Sequence, residues 1–376
     1  MAPEFLFVEG KIECNLKCNH CNLWWIDKQP RSAFLPTSTR LDIIDEFASM
    51  NPRGKVVTCG GESMLDLDNY FAISRRSHER GLRQFSVVNG TKIPNDKMAR
   101  KMISEGPDEI SISLDSHIEK VHDRHRGVRG SFMVAVRALR LLLKAREELG
   151  RHDKNIHAML LVFDENYLQL DEAYSFALRD IGVDKLKINI MQPTFAGTGL
   201  FDHFYDDHHL MDPEKFREHL ELCNTKYNLN YNRVWVEQVV MYLKSISKVS
   251  TDTVLRRKAE TIDHICNTYD RNIIVTAKGE MKLCFSDRFS GVWYQKPGDL
   301  KAFWEGAGEL RCRMSTCNDL CGISHSVRAQ SCTKASQDEK DSRTAVSLAS
   351  TPQSSSDTPP AGGDLPAGAQ HTIQVV

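Results

Sequence analysis

The feature that most constrains this 376-residue chain is an alternation running from residue 5 to about residue 195. Short runs rich in Val, Ile and Leu predict strands at Leu6–Glu13, Lys55–Thr58, Arg83–Val88, Glu109–Leu114, Ile156–Phe163 and Lys185–Met191. Between them lie segments of helical character at Thr39–Met50, Asp68–Arg80, Asp96–Glu105, Ser131–Leu149 and Leu168–Arg179. In the fourth, Phe132, Val136, Leu139 and Leu143 recur every three or four residues, with charges opposite. Gly81, Gly106, Gly150 and Gly182 follow the helices, where caps of left-handed backbone are common. Six strands alternating with five helices imply a parallel sheet, because parallel neighbours need a crossover. An open doubly wound sheet and an incomplete β/α barrel both satisfy the right-handed crossover rule.

Composition removes several classes of function. The 49 basic and 50 acidic side chains nearly cancel, so bulk attraction to nucleic acid is not expected. No apolar run approaches the ~20 residues of a membrane span; the longest is Ala158 to Phe163. The first residues lack the basic flank and apolar stretch of a secretory signal. A soluble, cytoplasmic protein without nucleic-acid or membrane partners is the expectation. Residues 1–211 hold the alternation. Residues 212–263 read as a helical connector that opens at Asp212-Pro213-Glu214, a cap followed by proline in the first turn. Residues 264–332 are cysteine-rich, with a β-like run at Asn272–Thr276. Residues 333–376 are Ser, Thr, Pro, Ala, Gly and Asp with few large apolar side chains, the composition of a disordered tail.

Eleven cysteines, an odd number in a chain with no export signal, fit metal binding better than a disulfide framework. Cys59 and Cys223 stand in apolar or helical surroundings and read as buried structural thiols. Cys14, Cys18 and Cys21 lie together just after the first strand. Three thiolates on one loop can hold three irons of a [4Fe–4S] cube and leave the fourth iron open, whereas an electron-transfer cluster supplies four. The competing reading is zinc held by three cysteines and a histidine such as His20, although zinc sites favour two separated pairs.

The run Cys14-x3-Cys18-x2-Cys21 after a strand resembles the loop of the radical S-adenosylmethionine (SAM) superfamily. Four further segments resemble that family's marks in order: Gly60-Gly61-Glu62-Ser63, Val88-Asn89-Gly90, Ser113-Leu114-Asp115-Ser116, and His122-Asp123-x2-Arg126 followed by Gly130-Ser131-Phe132. Ser63 stands where the family usually has proline. The resemblance covers about residues 5–332 and implies an incomplete (β/α)6 barrel with its chemistry at the C-terminal strand ends. It implies that SAM chelates the open iron and is cleaved by one electron to a 5′-deoxyadenosyl radical, which abstracts hydrogen from an unactivated C–H bond. It further implies that Gly60 and Gly61 let backbone approach SAM, that Glu62 accepts from its ammonium, and that Ser113 and Arg126 contact its ribose and carboxylate. Two local alternatives stand beside these roles: an Arg126–Asp123 salt bridge, and Asp115 as a helix cap. Trp24 and Trp25 shield the cluster or pack the core.

Cys266-x12-Gly279-x4-Cys284 resembles the opening of the auxiliary-cluster modules called SPASM or, in short form, twitch. A reversal at Gly279 with positive φ brings the two cysteines together. Under a twitch reading, one auxiliary [4Fe–4S] cluster is held by Cys266, Cys284, Cys317 and Cys321. Under a SPASM reading, two clusters are bound, with Cys266, Cys284 and Cys321 on one and Cys312, Cys317 and Cys332 on the other. A structural zinc knob is the remaining alternative.

The expectation is thus a radical SAM enzyme acting on a small metabolite or peptide by dehydrogenation, epimerisation or cross-linking, fed by a donor such as flavodoxin or ferredoxin. Cys14 is too near the start for a separate leader-binding domain before it, which favours a small substrate. The loop Asp202–His209 offers proton-transfer groups or is merely solvated; no catalytic acid or base is assigned. An iron–sulfur electron carrier and a zinc-stabilised interaction module are the alternatives.

Overall fold

The computed structural model describes residues 2–21, 23–25, 30–191, 207–208, 210–231, 233–246, 265–266, 268–285, 289–315 and 327–328. All six predicted strands form, within two residues of their expected ends: β1 Phe5–Lys11, β2 Lys55–Gly60, β3 Arg83–Val88, β4 Glu109–Ser113, β5 Asn155–Val162 and β6 Lys185–Ile190. The crossovers are α1 Thr37–Met50, α2 Leu67–Glu79, α3 Asp96–Glu105 and α5 Ser131–Glu148. The fifth predicted helix divides into α6 Leu170–Ser175 and a wider π-type turn, Phe176–Ile181, which Gly182 ends in left-handed backbone. Gly81 and Gly150 are also left-handed, whereas Gly106 is extended at φ −83°.

Each of β1 to β5 pairs in parallel with the next, up to β6. After the two-residue strand β7 Ile265–Cys266, a seventh parallel strand, β8 Asn272–Val275, runs on the free side of β1, followed by antiparallel β9 Glu280–Lys282 and β10 Val292–Trp293. The order β10-β9-β8-β1-β2-β3-β4-β5-β6 is that of an open, mostly parallel α/β sheet, an incomplete barrel. The β-like run of the cysteine-rich segment therefore extends the same sheet as the alternation. Gly279 reverses the chain between β8 and β9 at φ +104°.

Strand alternation sorts side chains onto two faces. Ile110, Ile112, Ile156, Ala158, Leu160 and Val162 are buried against the Ala135, Leu139 and Leu142 stripe of α5. Leu6, Val8, Val56, Ile273 and Val275 are buried with Ile43, Ile44 and Phe47 of α1 and with Leu300, Phe303 and Trp304 of the helix Asp299–Gly306. The other face carries Phe5, Phe7, Val57 and Ile274, with Cys59, Phe85 and Phe285 packed against them. Cys223 is fully buried on the helix Pro213–Tyr227, whose cap Asp212 accepts from Glu214 N and Lys215 N, both at 3.0 Å.

Between β4 and β5 the chain also forms α4 Glu119–Arg126, which the sequence reading did not separate as a helix. Only His122 and His125 are buried on it, so it has no apolar stripe to announce it. This helix positions the cysteine loop.

Candidate active site

Beyond β1 the chain enters the loop of Cys14, Cys18 and Cys21, and two elements grip that loop by its backbone. On one side is the turn after β2: Gly61 N donates to Lys11 O at 2.7 Å and Glu62 N to Glu13 O at 2.8 Å. A Cβ on Gly61 would stand 2.2 Å from Ile12 O and 2.3 Å from Glu13 O. The approach that this glycine permits is therefore to the chain leading into Cys14. On the other side is the last turn of α4. Lys17 N donates to Arg126 O at 3.2 Å, Asn19 N to His125 O at 2.8 Å, and Asn19 Nδ2 to Arg124 O at 3.0 Å. Gly127, at φ +64°, closes the helix, and a Cβ there would lie 2.1 Å from Lys17 O. Trp24 Nε1 donates to Cys18 O at 2.9 Å, so its indole ties down the cysteine loop.

Glu62 faces inward and is 2% exposed. Its Oε1 accepts from Met64 N at 3.0 Å and its Oε2 from Asn89 N at 2.7 Å, which pins the end of β2 to the end of β3. Burial pushes its carboxyl up to about 7 against the pull of those two donors. Asn89 carries the linkage onward: its Nδ2 donates to Asn15 Oδ1 at 2.9 Å and lies 3.9 Å from Cys14 Sγ. Thr91 Oγ1 accepts from Asn15 Nδ2 at 2.9 Å and donates to Asn89 Oδ1 at 2.6 Å. Asn15 and Thr91 carried no sequence signal, since an isolated Asn or Thr in a loop reads as turn chemistry.

Arg126 pairs with Asp115 and not with Asp123. Its Nη2 and Nε each lie 2.7 Å from an Asp115 oxygen, and its Nη1 points at Cys18 Sγ from 3.8 Å. Asp115 does not cap α4; it is buried after β4, and its N–H donates to His122 Nδ1 at 3.1 Å. Burial works against its charge, but Arg126 holds the carboxyl well below the usual range. Asp123 is the capping carboxylate, accepting from Gly130 N, Ser131 Oγ and Phe132 N at 2.5–2.9 Å, and so anchors the start of α5. Ser113 is half-buried at the C-terminal end of β4. Burial pushes His20 and His122 down to about 4, which keeps both neutral.

The thiols fit an iron–sulfur cluster. Burial raises Cys14 and pushes Cys18 up to about 12, so both are neutral on their own. Yet N–H groups are aimed at the sulfurs: Leu16 N at 3.4 Å and Asn89 Nδ2 toward Cys14, and the Arg126 guanidinium toward Cys18. Donors of this kind favour thiolate, and a positive metal centre bound there would complete the deprotonation. Among the described residues no three His, Cys, Asp or Glu form a group able to hold a single ion. A [4Fe–4S] cube asks for a different arrangement, one thiolate on each iron.

Cys284 is half-buried just past β9, and Cys312 is exposed on the helix Gly308–Ser315. Cys266 ends the two-residue strand Ile265–Cys266, which pairs with Val327–Arg328. Cys317, Cys321 and Cys332 lie outside the described residues, as do the tail and most of the loop 202–209. Of that loop, His208 Nδ1 lies 2.9 Å from Asp164 Oδ1.

Residues 12–177 match the family model of the radical SAM superfamily. It is 31% identical over 196 residues to an AdoMet-dependent heme synthase of Methanosarcina barkeri, covering 52% of this chain and 53% of that protein. It is 26% identical over 248 residues to the tungsten-containing aldehyde ferredoxin oxidoreductase cofactor-modifying protein of Pyrococcus furiosus, covering 64% of each. The matches thus span about half to two thirds of these relatives. In fold it is similar to native anSMEcpe with bound AdoMet and Cp18Cys peptide, at a TM-score of 0.54, 15% identity, 92% of this chain and 99% of that one. No helix among the described residues is long and apolar enough to cross a membrane.

Proposed function

We propose that the chain is a radical SAM enzyme in which Cys14, Cys18 and Cys21 hold a [4Fe–4S] cluster with one iron left for SAM. When bound, this pair supplies the one-electron cleavage that yields a 5′-deoxyadenosyl radical, able to take hydrogen from an unactivated C–H bond. The observation that carries the reading is the loop itself: three thiols on a backbone clamped from both sides, with a guanidinium aimed at the central one. Gly60 and Gly61 hold the strand end against the loop, and Glu62 locks β2 to β3. Ser113, at the neighbouring strand end, and Arg126 are the residues we assign to the ribose and carboxylate side of SAM. Cys266, Cys284, Cys317 and Cys321 hold an auxiliary cluster. The reversal at Gly279 shortly before Cys284 supports that reading.

The substrate is a small metabolite or a peptide, and the electron donor is a flavodoxin or ferredoxin in the cytoplasm. A heme synthase and a cofactor-modifying protein among the relatives, and a fold similar to a protein holding AdoMet and a peptide, support that range.

The test is anaerobic reconstitution followed by iron and sulfide analysis and assay of dithionite-dependent 5′-deoxyadenosine. About eight irons per chain are expected for one auxiliary cluster, and about twelve for two. Cys18→Ala abolishes deoxyadenosine formation; undiminished formation in that variant contradicts the assignment. A colourless zinc protein, or clusters indifferent to SAM, would support the alternatives instead.

A further inference from the structure

The cysteine loop alternates between inside and outside. Leu16 and Cys18 are buried, whereas Asn15, Lys17 and Asn19 are exposed. The ammonium of Lys17 therefore belongs to the residue directly before the thiol that Arg126 faces. Lys17 lies against Gly127, at the C-terminal end of α4. That helix carries exposed Lys120 and Arg124 four residues apart on one face, and exposed Arg129 follows two residues past Gly127.

Little acidic charge offsets this rim. Arg124 is paired with Glu165, but among the described residues no ion pair engages Lys17, Lys120 or Arg129. Asp123 is turned to the start of α5, which leaves Glu119 as the exposed acid on the helix. Compensation of the helix dipole accounts for a basic residue in the last turn, such as Arg124. It does not account for Lys17 and Arg129, which are off the helix, or for Lys120 in its first turn.

We propose that Lys17, Lys120 and Arg129, with Arg124 beside them, form the docking surface for a small acidic electron-transfer protein. This rests on the function proposed above and assigns the face of the molecule through which the electron enters. One electron leaves the donor's flavin or cluster, which is oxidised, and reduces the cluster held by the cysteine loop. Opposite charge around that path steers the encounter and raises its rate at low ionic strength. The rim is solvent-exposed, so salt screens the effect.

An acidic flavodoxin is the probe. Calorimetric titration of the oxidised flavodoxin into the reconstituted protein is compared for wild type and for Lys120→Glu/Arg129→Glu. The expected result is an affinity about tenfold lower for the variant at low salt, with a flattened salt dependence. Dithionite-driven deoxyadenosine formation stays at the wild-type level. Carbodiimide cross-linking provides a reading without substitutions, with flavodoxin carboxylates expected to join Lys17 and Lys120. Equal affinity of the two proteins, or cross-links confined to other lysines, overturns the surface. Absence of dithionite-driven cleavage in wild type strikes instead at the enzyme reading, and the titration and cross-links still decide where the flavodoxin binds.

Discussion

Arg126 grips Asp115 at two points, each 2.7 Å, while its remaining nitrogen faces the Cys18 thiol from 3.8 Å. One guanidinium thus joins the end of β4, the last turn of α4 and the cysteine loop. Because Asp115 is buried, removing its partner strands a charge. Arg126→Met should lower unfolding free energy by about 3–5 kcal/mol, and adding Asp115→Asn should recover part of that loss. Urea unfolding of the two variants checks this. A double variant no more stable than the single one would show that the pair is not coupled.

The turn at Gly61 is limited by space, and its backbone has no positive φ. A methyl group there meets two carbonyl oxygens at 2.2 and 2.3 Å, so β2's end must move off the segment that leads into Cys14. Gly61→Ala is expected to cost about 1–3 kcal/mol by overpacking and to lower iron loading after reconstitution. Gly306→Ala meets nothing within 4 Å at the end of a helix and serves as the contrast, neutral or stabilising by up to about 1 kcal/mol. Thermal melts and iron analysis of both variants decide the point.

Acid should unfold the protein partly through the strand starts, away from the cysteines. Asp108 accepts from Gln84 N at 2.8 Å, lies 3.2 Å from His78 Nε2, and receives the buried Lys154 ammonium at 3.4 Å. Burial alone would raise its carboxyl, but these partners hold it at about 2, against 3.8 ordinarily. A depressed carboxyl contributes stability that is present above its unfolded value and lost as pH falls through its folded one. Between about pH 4 and pH 2 the wild type should therefore lose on the order of 2 kcal/mol through this group. Asp108→Asn should be less stable at pH 7 and flatter on acidification. Urea midpoints at pH 5 and pH 3 measure this, and parallel slopes for the two proteins would contradict it.

Much of the frame was legible because it is local. β3 and α3 begin and end on the predicted residues, Arg83–Val88 and Asp96–Glu105, since each is a short periodic run between clear breakers. The partner of Asn272–Val275 was not legible: pairing with Phe5–Val8 spans more than two thirds of the chain, and strand character does not name a neighbour. α4 was missed because its buried residues are histidines. Among the matched residues, order along the chain located Glu62, Asp115 and Arg126, but their partners depend on side-chain direction. Glu62 turns to two backbone N–H groups, and Arg126 reaches Asp115 because Asp123 is already engaged with three donors.

The account depends on a cluster with one iron free for SAM on Cys14, Cys18 and Cys21. Electron paramagnetic resonance of the dithionite-reduced protein, recorded with and without SAM, addresses this most directly. The account predicts a [4Fe–4S] signal that changes on adding SAM, and a Cys14→Ala/Cys18→Ala/Cys21→Ala variant that loses this SAM-sensitive signal. A wild-type spectrum unaltered by SAM, or the same SAM-sensitive signal persisting in the triple variant, would contradict it.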